Sequence, residues 1–124
     1  MYKQPFISSV CISRNDDYSD NLAKRMTLAL ASHIHAFDEV VYVDWNTDFG
    51  KPTMDDVIRE RLVPIVGKNI SKLRTIVVTA EQVRSMQLPS DAQDCCEVLA
   101  RNVGIRRALG DYIVSTNCEI MYPV

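Results

Sequence analysis

The stretch from Asp94 to Tyr122, DCCEVLARNVGIRRALGDYIVSTNCEIMY, constrains the fold more than any other part of the chain. It reads as a helix, a glycine stop at Gly110, a strand over Asp111 to Thr116, and the polar tripeptide Asn117-Cys118-Glu119 where the strand should end. A helix fed directly into a strand is the closing half of a β-α-β unit. In an open α/β sheet ligands bind outside the carboxyl ends of the strands, so an amide and a carboxylate at this position are candidate ligand-binding groups. Alternation along the strand puts Asn117 and Glu119 on one side and Cys118 on the other.

The preceding residues repeat the same alternation of elements. Phe6 to Ser13 is an apolar run ending in Arg14-Asn15-Asp16-Asp17, a buried strand followed by a loop. Ser19 or Asp20 can cap a helix whose apolar residues Leu22, Met26, Ala29, Leu30, His33 and Phe37 recur at three- and four-residue steps. Glu39 to Trp45 (EVVYVDW) is a second strand with Asp44, Trp45 and Asn46 at its carboxyl end, Trp45 being expected partly buried at the sheet edge. Thr53, Asp55 and Asp56 mark a helix start, Pro64 should bend or end that helix, and Gly67-Lys68-Asn69 reads as a loop. Leu73 to Thr79 is a third strand. Ala80 to Asp91 lacks a clean period and reads as a variable loop, and a helix then runs from about Ala92 to Leu109. This order predicts a mainly parallel four-stranded sheet with helices on both faces, a Rossmann-like α/β fold filling residues 1–124 as a single domain.

The last helix carries two apolar stripes: Ala92, Cys96, Leu99, Ala100 and Val103 on one side, Val98, Ile105 and Leu109 nearly opposite. Either both are covered within the chain, or the outer one meets a neighbour. A homodimer or a further half of the protein is the expected neighbour.

With 124 residues and 47% hydrophobic composition the chain can bury one core. A net charge of -2 gives no basic surplus for a general nucleic-acid binder, so none is expected as a partner. The four cysteines, Cys11, Cys95, Cys96 and Cys118, show no zinc-type spacing and read as small thiols in a reducing compartment. The apolar run from Phe6 to Ile12 is too short for a signal-peptide core or a membrane span, so a cytoplasmic chain without a transmembrane segment is expected.

Familiar phosphate-binding and hydrolase signatures are missing. There is no GxGxxG after the first strand, no P-loop around Gly67-Lys68-Asn69, and no GxSxG elbow. His33 and His35 are two apart on a helix and diverge, and His33 lies on the apolar stripe, where a core role is expected. What remains is a set of polar residues at three strand ends: Ser13 to Asp16, Asp44 to Asn46, and Asn117 to Glu119. Oxygen ligands of this type suit a hard cation shared with a diphosphate, although an amide in place of one carboxylate weakens such a site; a solvated turn is the other reading of the same residues.

The blocks I-S-R-N-D after the first strand, V-D-W-N after the second, and A-R-N-V-G-I-R-R-A-L-G-D-Y-I-V-S-T-N-C-E-I together resemble the nucleotide-sugar-binding half of GT-A fold glycosyltransferases, family 2 above all. The resemblance implies a nucleoside diphosphate sugar as partner and Mn²⁺ or Mg²⁺ as cofactor. It implies nucleobase contacts at Ile12, Ser13, Arg14, Asn15 and Asp44, a diphosphate contact at Arg101, and a D-x-D-like motif at Asn117-Cys118-Glu119, with Glu119 and Asn117 near metal and ribose. Here D-x-D is N-x-E. The family continues into an acceptor-binding half that supplies the catalytic base of inverting members, so the acceptor and the base are unassigned and the chain is expected to be a truncated GT-A domain. The alternative is a non-catalytic module of the same fold that binds a nucleotide or a protein. A receiver-like or flavodoxin-like domain is a weaker third reading, since only Asp16, Asp17 and Asp44 offer acidic groups for it.

Overall fold

The structure, a computed structural model, describes residues 3–14, 22–47, 50, 52–88, 97–117 and 120–122. Four strands, β1 (Ile7–Arg14), β2 (Glu39–Thr47), β3 (Leu73–Thr79) and β4 (Tyr112–Ser115), form one sheet in the order β3-β2-β1-β4, with every pairing parallel. The helices are α1 (Leu22–Ala36), α2 (Met54–Val66), α3 (Ala80–Ser85) and α4 (Glu97–Arg107). The expected Rossmann-like α/β architecture is the observed one. No helix among the described residues is long and apolar enough to cross a membrane.

The sheet is covered on both faces, and each face has its own core. Cys11, Val40 and Tyr42 meet Leu22, Met26, Leu30, Ile34, Ile58 and Leu62 beneath α1 and α2. Ile12, Val43, Trp45 and Val78 meet Val83 and Ala100 beneath α3 and α4. This two-sided cover explains why β1 and β2 read as near-continuous apolar runs instead of alternating ones. Each fully buried aliphatic side chain contributes about 1.5–3 kcal/mol, so the unbroken run Val40, Val41, Tyr42 and Val43, all 0% exposed, makes β2 the spine of the domain. Cys11 is buried.

Four local expectations are corrected. Trp45 is 1% exposed, because β2 is an inner strand flanked by β1 and β3 and its end is roofed on the α3 side. The residues after Pro64 do not form a loop: α2 ends at Val66, two residues past the proline, and passes into a 3-10 turn over Gly67–Lys72. The segment after β3 begins with α3, not an irregular loop. Thr79 accepts from Gln82 N–H at 3.1 Å while the Gln82 side chain accepts from Thr79 N–H at 2.9 Å, a capping box legible as T-x-x-Q. Finally, α4 ends at Arg107, and Gly110 is not among the glycines of positive φ. Gly110 is required for a different reason: a Cβ there would lie 2.5 Å from Ser8 Oγ and 2.7 Å from Ser8 N.

Candidate functional site

The strand order reverses between β1 and β4, since β2 and β3 follow on one side of β1 and β4 lies on the other. In doubly wound sheets the crevice at such a reversal, at the carboxyl ends, is where ligands sit. Two of the expected site segments border it: Ile12, Ser13 and Arg14 at the end of β1, and Asn117 beyond β4. Asn15 and Glu119 lie outside the described residues.

On the α4 side, Arg101 is the organising group. Its guanidinium donates to Ser115 Oγ at 3.0 Å and to Asn117 Oδ1 at 2.5 Å, with Glu97 at 3.8 Å on the same helix. Arg101 reaches this position because α4 is pressed onto the sheet by its smallest residues. Ala100 and Gly104 are the buried positions of the helix, and a Cβ on Gly104 would sit 2.5 Å from Val10 Cγ1 and 3.1 Å from Val43 Cγ2. The small pair four residues apart was readable in the sequence, and it is what lowers the helix turn carrying Arg101 onto the end of β4. Alternation from Val10 and Ile12 places Arg14 on this same face. The site therefore carries cationic groups on either side of the reversal, and Arg101 retains 23% side-chain exposure to meet a ligand.

The other face is built differently. Ser13 Oγ is hydrogen-bonded to the Tyr42 hydroxyl, and Ser13 is paired in register with Asp44. Asp44 is 0% exposed. Its Oδ2 accepts from Met54 N–H at 2.8 Å, tying the end of β2 to the first turn of α2, where Thr53 Oγ1 accepts from Asp56 N–H at 3.1 Å. Among the described residues Asp44 Oδ1 has no hydrogen-bond partner, and neither has the indole Nε1 of Trp45. Burial pushes the Asp44 carboxyl up from its ordinary value. The Met54 N–H and the Thr47 hydroxyl pull the other way without cancelling it, and the charges of Asp55 and Asp56 add to the rise.

The expected residues are thus divided. Arg101 and Asn117 meet, with Ser115 as a partner the sequence reading did not single out. Asp44 stands on the opposite face of the sheet, two strands from β4, and presents no surface to solvent. The Oδ1 of Asn117, expected near ribose or metal, accepts from the Arg101 guanidinium, so a divalent cation on that oxygen would be set against a positive charge. Among the described residues no group of three or more His, Cys, Asp or Glu side chains could hold a metal ion. Three clefts bounded by described residues lie elsewhere, one between α1, α2 and Tyr122 and two along α4, and none is lined by Asp44, Arg101 or Asn117.

The outer stripe is exposed at its two ends, Val98 in α4 at 69% and Leu109 just past the helix at 74%, with Ile105 between them half-buried, and the edge residue Tyr112 is 65% exposed. No family model, no curated protein and no solved structure matches this chain.

Proposed function

We propose that this chain binds a nucleoside diphosphate sugar at the β1/β4 strand ends and is the donor-binding part of a glycosyl-transfer enzyme. The observation that carries the reading is the junction of Arg101 with Ser115 and Asn117, which joins the A-R-N and S-T-N segments of the resemblance at the sheet's reversal point. In this reading the Arg101 guanidinium faces the diphosphate, where a planar cation with several N–H donors suits phosphate oxygens. Asn117 contacts ribose or phosphate, Ile12 to Asn15 border the base, and Glu119 is the group left to approach a metal. Asp44 acts indirectly, by fixing the start of α2 beside the end of β2. A divalent ion, when bound, would neutralise charge on the leaving diphosphate; Arg101 supplies part of that positive charge from the chain itself.

Calorimetric titration with UDP-glucose and GDP-mannose, each with and without Mn²⁺, tests the reading. One donor is expected to bind, and Arg101→Ala to weaken it at least ~10-fold, the loss of a charge-assisted hydrogen bond worth roughly 1.5–3 kcal/mol. No heat and no thermal shift with either donor would overturn it. The exposed side chains of Val98 and Leu109 favour a second reading, a non-catalytic module of the same fold that docks a protein. A dimer in light scattering together with absence of donor hydrolysis would select it.

A further inference from the structure

We infer that His33, a buried histidine on α1, is a positioning residue for Asn117. The imidazole is 0% exposed and holds two partners: its Nδ1 is 2.8 Å from Ser9 Oγ, and its Nε2 is 2.9 Å from the carbonyl oxygen of Ile120. A carbonyl only accepts, so Nε2 carries the proton and Nδ1 accepts from the Ser9 hydroxyl. Ser9, on the inner strand β1, thus selects the tautomer that reaches out to Ile120.

Ile120 is joined to the candidate site, because its own N–H donates to the carbonyl oxygen of Asn117 at 3.1 Å. Asn117 is therefore held twice. Arg101 grips its side chain from α4, and His33, through Ile120, fixes its backbone from α1 on the opposite face of the sheet. The chain beyond Ile120 is fastened to the same stretch of helix. Ser32 Oγ is hydrogen-bonded to Tyr122 N and donates to Tyr122 O at 3.0 Å, while the Tyr122 ring stands edge-on to His33 at 4.9 Å and to Phe37 at 4.8 Å. Core packing alone does not require a polar ring here. A leucine would fill the volume, but only a directional donor at the Nε2 position fixes the Ile120 carbonyl toward the helix.

The consequence for donor binding rests on the proposed function; the tie itself does not. Glutamine places an amide nitrogen near the Nε2 position, whereas asparagine is one bond shorter and stays near Nδ1. The tie predicts a neutral, Nε2-protonated His33 in the long-range nitrogen–proton spectrum of the unaltered chain. In amide exchange, His33→Asn should lose protection at Ile120 and Tyr122 by ~10-fold or more while the β2 amides hold, and His33→Gln should restore most of it. UDP-glucose or GDP-mannose, whichever the unaltered chain binds, should follow the same order, with Asn weaker than Gln. An Nδ1-protonated tautomer, or equal protection in the two variants, would overturn the tie. If neither variant folds, the tautomer decides. If neither donor binds the unaltered chain, the proposed function fails while the spectrum and the exchange still decide for or against His33.

Discussion

The two ends of the sheet treat a buried carboxylate in opposite ways. At the amino end Glu39 is 4% exposed, and both of its oxygens are engaged: Oε1 accepts from Ser8 Oγ at 2.8 Å and Leu109 N–H at 2.9 Å, and Oε2 from Arg74 at 2.9 Å. Burial by itself would raise its pKa, but the Leu109 N–H, the Ser8 hydroxyl and the Arg74 guanidinium together outweigh that and hold it below its ordinary value. Ser8 in turn accepts from Gly110 N–H at 2.9 Å, so this end is closed on itself. At the carboxyl end Asp44 is equally buried, yet one of its oxygens has no partner among the described residues and its pKa is raised. The amino end thus favours the charged form of its carboxylate through hydrogen bonds and a guanidinium, and the carboxyl end disfavours it through burial and neighbouring acidic charge.

The contrast can be broken most directly by removing each charge in turn. Glu39→Gln should destabilise the domain by roughly 2–3 kcal/mol, because charge-assisted bonds from Arg74 and Leu109 are weakened and buried donors are left underserved. Asp44→Asn keeps an oxygen for Met54 N–H and removes a buried charge, so its stability should match the parent within about 1 kcal/mol or exceed it. Urea midpoints at neutral pH compare the two. Equal losses would erase the distinction between the ends.

Gly104→Ala comes next. A methyl group 2.5 Å from Val10 Cγ1 has no room, so α4 must lift or Val10 must turn, at about 1–3 kcal/mol. The same movement takes Arg101 away from Asn117, so donor affinity should fall along with stability. A variant that loses stability and keeps affinity would separate α4 packing from the site.

The pH dependence sharpens the comparison with smaller effects. Asp44 holds its proton more tightly folded than unfolded. Its contribution is complete below the unfolded carboxyl value and is lost as pH rises through the raised folded one. Glu39 has the opposite sign: its contribution is present above the unfolded value and is lost as pH falls through the depressed folded one. His33 is lowered from 6.5 by burial, against the Ile120 carbonyl bond that raises it, so stability should fall as pH drops from 6.5 through its lowered value. Denaturation curves in the parent and in Asp44→Asn separate these contributions. Only the acid-side gain should vanish in the variant. Arg101→Ala should change stability least, within about 1 kcal/mol as for an exposed polar contact, while having a large effect on binding.

Much of this protein was legible from the order of its residues. The parallel sheet followed from apolar runs separated by helical periods, since a strand buried on both faces has no reason to alternate. The cap at Thr53 and the core place of His33 were also readable, because each depends on groups a few residues apart or on one helix face. The T-x-x-Q cap of α3 was equally local and was overlooked beneath the polar composition of residues 80–91. Trp45 was misplaced at an edge because strand order is a long-range property: that β2 would be flanked on both sides cannot be seen within β2 itself.

Sequence by itself determined the class of fold and which residue types stand at the strand ends, because periodicity and turn chemistry act over one element at a time. Tertiary structure alone decided which of those residues meet. The close approach of Gly104 to Val10 brought Arg101 to Asn117, and the two-sided cover of β2 buried Asp44. Contacts between residues far apart in the chain depend on how closely helices settle on a sheet, a matter of a few ångströms set by side-chain volume across the whole core.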